Sequence, residues 1–516
     1  MKKKNTFMDD LQASILPKLW DQVNQGAISS SLTQTVQTMK TIWTHCDDFI
    51  VNHLATSDDD APNITACWLN GIIDLMQLQE IVFRTAAKEY QESGTFQALM
   101  NNSSGSYQVV STYQEASKAV ATGQAVLFFD GEPQALSVNI ASFPKTAFLP
   151  PENELTVDDP HISFINNLSL NMGAVRSHVH SPFLKFEQVS LGKVANNNVA
   201  IIYIEGITKQ PLIDEVKKRL SSYQLEGVIG INYIKETISD NAYSPFPLID
   251  VTERPDRVAT AVLQGKVAVM VDGSSMALIA PTTFISFINS IEDYYSSYFS
   301  VVPIRLLRHL MYWLSLLLPA FYIVLLSYRP DLLPTPLLLS IQTQHVNIPF
   351  PIIMEIMLMA ITFEAIREAG IRLPKAVGQS VSIVGALVIG NAATQAGLVS
   401  TGAVITVAFA GIASFTIPAY SLGYTNRVLQ FGFMVMTALY GFYGLIMAGL
   451  ALVAHLVSLQ SFGVPYMSPM APFVRSRFRN AFYRPPWNKL NSTQQSVSEL
   501  PMPKLGENPN FAGKEK

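Results

Sequence analysis

The stretch that decides the fold is Ala376 to Asn426, AVGQSVSIVGALVIGNAATQAGLVSTGAVITVAFAGIASFTIPAYSLGYTN, which contains no Asp, Glu, Lys or Arg. After Arg427 a second uncharged run extends from Val428 to Val474, and upstream HLMYWLSLLLPAFYIVLLSY, His309 to Tyr328, is bracketed by Arg308 and Arg329. Runs of this length can cross a hydrocarbon core of about 30 Å. The C-terminal third therefore reads as a helical membrane domain.

The first 300 residues differ, with charges spread through short apolar runs as in a water-soluble fold. The fold class expected is an α/β soluble N-terminal region of two related subdomains followed by an all-helical polytopic membrane domain. Lys2, Lys3 and Lys4 precede no apolar core, so the sequence shows no cleavable signal, and the soluble part is expected in the cytoplasm. Arg305 and Arg308 ahead of the first crossing agree with that side. The net charge of -4 gives no argument for nucleic acid, and Cys46 and Cys67 lack metal-ligand spacing.

The soluble part repeats. ITACWLNGIIDLMQLQEIVF (Ile64 to Phe83) and VAIIYIEGITKQPLIDEVKKRL (Val199 to Leu220) each run from a β-like segment through Gly71 or Gly206 into a helical pattern, with Glu80 and Glu215 at matching places. GQAVLFFDGEPQAL (Gly123 to Leu136) aligns without a gap with GKVAVMVDGSSMAL (Gly265 to Leu278). The pairs Asp130-Gly131 and Asp272-Gly273 read as hairpin turns, since Gly accepts positive φ without a Cβ clash. A ligand loop is the alternative for these aspartates, but no convergent His, Cys or Asp set accompanies them.

The organisation expected is a helical N-terminal extension and linker (1–61, with SDDDAP at Ser57 to Pro62), a first subdomain (62–150), a helical connector (151–189), a second subdomain (190–300), a membrane domain of four or five hydrophobic segments (301–460), and a basic then disordered tail (461–516). Within the connector a helix is expected from near Pro160, with Asp158 and Asp159 at its start. There is no phosphate loop, nucleophile elbow or His-Glu-x-x-His helix, so no enzyme, metal site or cofactor is expected.

The membrane half is unusual after Pro349 and Pro351, where IIMEIMLMAITFEAIREAG (352–370) carries Glu355, Glu364, Arg367 and Glu368 on a helical period. Charges at membrane depth are costly against lipid, so they should face protein, water or headgroups. Two readings stand: an interfacial amphipathic helix, or a pore-lining or gating element. Glu355 is flanked by apolar residues with no cationic neighbour one turn away, and a ring of such carboxylates in an oligomer would attract cations. Gln379, Asn391 and Gln395 dot the uncharged block, suited to interhelical hydrogen bonds or to a conduction path. Two uncharged helices separated near Ser400 to Gly402 and a last one at about 430–457 are expected. With 350–368 re-entrant or interfacial, four crossings keep the basic tail RSRFRNAFYRPPWNK (Arg475 to Lys489) inside, and a fifth exports it.

Several segments resemble the A-subunit family of nutrient germinant receptors of endospore-forming bacteria: ERPDRVATAVLQGKVAVMVDG (Glu253 to Gly273), EDYY (Glu292 to Tyr295), PAFYIVLLSYRPDLLPTPLLLSI (Pro319 to Ile341), the run from Pro349 to Ser400, and SFTIPAY (Ser414 to Tyr420). The resemblance implies a cytosolic region of two subdomains, a membrane domain, and assembly with a transporter-like B subunit and a lipoprotein C subunit in the inner spore membrane. It further implies a homo-oligomer, a pentamer by the family pattern, acting as a ligand-gated cation channel. On this sequence it makes the helix with Glu355 and Glu364 pore-proximal and Arg367 to Pro374 the most diagnostic turn. Two departures stand out: VDDPHISF (Val157 to Phe164) replaces an Arg-Gly-Pro-Arg-Glu-Gly-Phe-like run, and Gly273-Ser274-Ser275 replaces Gly-Ser-Pro. A non-conducting scaffold and a secondary transporter are the alternative functions.

Overall fold

A computed structural model of the chain describes residues 26–54, 64–86, 107–142, 150–154, 162–222, 226–346, 348–373 and 388–483. The linker at 57–62, the acidic pair Asp158 and Asp159, Gln379 and the tail beyond Tyr483 lie outside them.

The first subdomain runs α1 (Leu32–Ile42), β1 (Phe49–Leu54), β2 (Ile64–Leu69), β3 (Tyr107–Val110), α2 (Tyr113–Ala121), β4 (Gln124–Phe129) and β5 (Ala135–Asn139). Its sheet is antiparallel in the order β1-β2-β4-β5-β3. The second runs α3 (Leu168–Arg176), β6 (Leu184–Leu191), β7 (Asn197–Ile204), α4 (Gln210–Ser221), α5 (Ile231–Ile238), β8 (Asp250–Thr252), α6 (Pro255–Leu263), β9 (Val267–Val271) and β10 (Ala277–Ala280), with sheet order β6-β7-β9-β10-β8. The two orders are the same, position for position. In the hairpins, Phe128 pairs with Ala135 and Met270 with Ala277, the same positions of the ungapped alignment.

Local chemistry explains these elements. Gly131 and Gly273 turn the hairpins at φ +83° and +82°, where a Cβ would be strained. Thr112 caps α2 through its hydroxyl while Glu115 reaches back to the Thr112 N–H, a reciprocal pair that fixes the helix start. Along β7, Ala200, Ile202 and Ile204 face the core under α3 and α6, and Val199, Ile201 and Tyr203 face the core under α4 and α5. A strand covered on both faces reads as a continuous apolar run.

Two features were placed differently by the sequence reading. Helix α1, assigned there to an extension, packs in the first core through Leu32, Val36 and Met39. The connector helix begins at Leu168 rather than near Pro160. Its N-terminus lies beside the second hairpin, whose Asp272 accepts from the Leu168 N–H at 3.1 Å. Asp130 accepts from the Leu32 N–H at 3.2 Å in the first subdomain, so each turn aspartate serves an orphan donor of its own helix.

Beyond residue 297 the described residues are mainly helical, with α7 (Tyr298–Ile323, prolonged by a wider turn to Tyr328), α8 (Thr335–His345), α9 (Ile352–Arg372), α10 (Thr401–Phe415), α11 (Tyr420–Ser458) and α12 (Arg475–Phe482). Two of these segments are long and apolar enough to cross a membrane, Tyr298–Tyr328 at mean hydropathy 2.0 and Tyr420–Ser458 at 1.8. Only 39% and 22% of their apolar windows are buried, unlike the core helix of a water-soluble protein.

The single last helix expected at about 430–457 is instead a helical hairpin. Gly441 sits at φ 59°, ψ -137°, which no L-residue adopts readily, and breaks α11. Thr425 donates to the Pro245 carbonyl, and His455 Nε2 lies 3.0 Å from Ser244 Oγ. A straight helix would hold these residues about 45 Å apart. Both arms therefore start and end beside the same loop of the second subdomain, and Tyr328 packs at the Gly441 bend, its hydroxyl 2.5 Å from the Ala438 carbonyl.

Candidate functional site: the junction between the second subdomain and the apolar helices

The junction starts at Glu253 to Arg257. Pro255 occupies the first turn of α6 and Asp256 follows it, the residue types that a helix N-terminus favours. Arg254, wholly buried, holds Asp256 with Nε at 3.1 Å and Nη2 at 2.8 Å. Arg257 bridges Glu154 at 2.6 Å and Asp250 at 2.5 Å, and Glu253 accepts from the backbone N–H groups of Asn153 and Glu154 at 2.6 and 2.8 Å. Burial pushes the Glu154 carboxyl up, with Arg257 opposing.

Four residues of a short helical turn, Ile291–Tyr294, connect this network to α7. Tyr295, just after the turn, donates to Asp256 at 2.6 Å. Partial burial and this bond both push the Tyr295 hydroxyl up, keeping it a donor. Asp293, buried to 3% exposure, accepts from Arg305 Nε at 2.9 Å and from both terminal nitrogens of Arg308 at 3.2 Å. One carboxylate thus clamps two guanidinium groups one turn apart on α7, in surroundings where charge-assisted bonds are strong.

A second attachment comes from the end of α11. Gln460–Ser461 and Val464–Pro465 form a small hairpin, and Phe462 enters the second subdomain's core with the Arg219 guanidinium 4.2 Å from its ring centre. The Phe462 N–H donates to Asp240 at 2.6 Å, and the Ser461 hydroxyl donates to the Leu248 carbonyl at 2.7 Å. Subdomain two therefore grips the apolar helices at both ends of their sequence.

On α9, Glu355 faces protein. It is fully buried, with Oε1 2.9 Å from His345 Nδ1 and Oε2 accepting from the Ser400 N–H at 2.9 Å. Ser400 is the N-cap of α10, so the carboxylate meets the positive end of that helix. Glu364 and Arg367 do come together, at 3.3 Å, and Arg427 of α11 approaches Glu364 at 3.5 Å. Arg367 also donates to Ser414 at 3.1 Å and stacks on Phe415. Ala360, Phe363 and Phe431 complete a small cleft around this triad. Glu368 pairs with Arg372 on an exposed face at 2.6 Å, and Asn391 and Gln395 are exposed and belong to neither cluster.

The sequence reading missed the roles of Asp256, Asp293 and Tyr295, although a carboxylate shortly before an apolar run with two arginines three apart was a usable signal. Among the described residues no group of His, Cys, Asp and Glu could hold a metal ion.

A family profile described as Bacillus/Clostridium GerA spore germination protein matches residues 37–496. The chain belongs to the GerA family of spore germinant receptor A subunits. This GerA-family chain is 35% identical to spore germination protein KA of Bacillus subtilis over 92% of its own length and 88% of that protein's. It is 37% identical to spore germination protein A1 of Bacillus subtilis over 78% of its length and 81% of that protein's. It is also similar to the crystal structure of the N-terminal domain of the A subunit of the Bacillus megaterium spore germinant receptor GerK3, at 23% identity and TM-score 0.40, covering 50% of this chain and 98% of that one. Homology supports a role for this chain as an A subunit of a bacterial spore germinant receptor.

Proposed function

We propose that this receptor subunit converts nutrient binding on its partners into cation release, as an oligomeric ligand-gated channel working with a transporter-like B subunit and a lipoprotein C subunit in the inner spore membrane. The observation that carries the reading is the double attachment of subdomain two. Tyr295 and Asp293 tie it to the root of α7, and Phe462 ties it to the end of α11. A rotation of that subdomain would act on both helices at once, a differential contact able to shift a closed-to-open equilibrium.

The return of 459–466 to the subdomain from which α7 departs supports an even number of crossings, with the N-terminal region and the basic tail together on the cytoplasmic face. Within that arrangement α9 flanks the cation path. Glu355, holding His345 and the start of α10, acts as a gating latch, whereas Glu364, Arg367 and Glu368 set the charge toward the subdomain end. Gln379, Asn391 and Gln395 belong to the segment that completes the path between copies, in a pentamer.

The test is single-channel recording across a planar bilayer at asymmetric potassium, with the purified chain alone and with its B and C partners. Cation-selective openings reduced by Glu355→Gln, with assembly unchanged, are the expected result. Silence in every combination with the oligomer intact would move the non-conducting scaffold forward, a reading that the complete burial of Glu355 within one protomer favours.

A further inference from the structure

After Glu368 the chain carries no Asp or Glu until Glu499, while Arg475, Arg477, Arg479, Arg484 and Lys489 crowd the segment behind α11. Helix α12 turns one face to the root of α7. The Phe482 ring lies tilted against His309 at 4.7 Å and Phe478 at 4.8 Å, Tyr483 meets Tyr298 edge-on at 5.4 Å, and the Ala481 carbonyl accepts from Asn289 at 3.2 Å. Arg475 and Arg479, one turn apart, are exposed, and among the described residues no carboxylate pairs with either. Phe473 before the helix, Tyr483 after it, and Phe299, next to the Tyr298 that packs on Tyr483, are exposed at 65%, 43% and 89%.

Exposed aromatic rings interleaved with unpaired arginines, at the point where an apolar helix begins, have the chemistry of the boundary between hydrocarbon and headgroup. A guanidinium fork matches a phosphate diester bidentately, and the fixed (i, i+4) spacing presents two such forks to one surface. We propose that α12 is a docking surface for anionic phospholipid headgroups, with Arg475 and Arg479 binding phosphate while Phe473 and Phe299 enter the acyl boundary. This rests on the membrane reading of α7 and α11 and adds a lipid preference to it. Its structural consequence follows from the Ala481 and Phe482 contacts: headgroup binding bears directly on the Arg305 and His309 turn of α7.

The test is native mass spectrometry of the full-length chain released from detergent in the presence of phosphatidylglycerol or phosphatidylcholine. The wild-type chain should retain phosphatidylglycerol preferentially, and the Arg475→Gln/Arg479→Gln variant should lose roughly tenfold in apparent affinity for it, with phosphatidylcholine retention and melting temperature unchanged. Arg475→Lys/Arg479→Lys should fall between the two. Equal retention of both lipids by the wild type, or an unaltered preference in the Gln variant, overturns the headgroup site and leaves the membrane reading standing. A chain that stays soluble without detergent and retains neither lipid overturns both.

Discussion

The Tyr295 hydroxyl donates to Asp256 across 2.6 Å, joining the first turn of α6 to the segment that leads into α7. Asp256 is already held by Arg254, so the phenol adds a link without being needed to neutralise the carboxylate. Tyr295→Phe removes that link and should cost about 1 kcal/mol of stability. The expected phenotype is a weaker germination response at unchanged subunit assembly, read by nutrient-triggered ion release from spores beside co-purification of the partners. A wild-type response from the variant would remove the link from the transmission path.

Asp293 is different because it is the shared partner of two buried arginines. Asp293→Asn keeps the shape and removes the charge that Arg305 and Arg308 share, at a cost of about 3–5 kcal/mol. The variant should fail to accumulate as folded protein in membranes. Arg308→Gln, which leaves the Asp293–Arg305 pair in place, should be the milder of the two in a thermal melt.

The subdomains meet through Asp48 and Arg176, both wholly buried and paired bidentately at 2.9 and 3.0 Å, with the guanidinium between the Trp43 and Phe186 rings. Arg176→Ala strands the Asp48 charge and should destabilise the soluble region by about 3–5 kcal/mol, whereas Asp48→Leu with Arg176→Met should recover most of that loss. Denaturant melts of the wild type, Arg176→Met, Asp48→Leu and the double variant give the coupling directly.

Asp130→Ala and Asp272→Ala each remove the acceptor at one helix start and should cost about 1 kcal/mol apiece, nearly additively, since the two sites lie in separate subdomains. A much larger loss at either would mean that the turn itself needs the carboxylate.

Cysteine chemistry separates undocking from unfolding. Burial pushes the Cys67 thiol up to about 12, so near pH 8 only about one molecule in ten thousand carries the reactive thiolate. Cys46 is also raised, chiefly by burial, and lies beside Arg176 at the subdomain junction. Alkylation at pH 8 should therefore be slow at both. In Arg176→Ala it should accelerate at Cys46 while Cys67 stays protected, as mass mapping of the modified peptides would show.

The repeat was legible in the sequence because its signals are local: Asp-Gly turns, a Gly before each hairpin, and apolar runs whose length and bracketing charges mark strands and membrane helices. Glu364 and Arg367 could be placed on one helix face for the same reason, lying one turn apart. The other contacts depend on residues brought together from afar. Asp48 and Arg176 are 128 residues apart, Glu355 and Ser400 are 45, and Phe462 reaches Asp240 over 222, so no short-range period records them. Gly441 shows the same limit within one segment. In an uncharged run it reads as another small residue, and only its left-handed backbone reveals that a 39-residue helix returns to where it began. Composition and turn chemistry thus determined most of the elements and that some are long and apolar enough to cross a membrane. Which of them touch was decided by the tertiary fold, because burying a charge requires a partner and the chain supplied most of those partners from distant sequence.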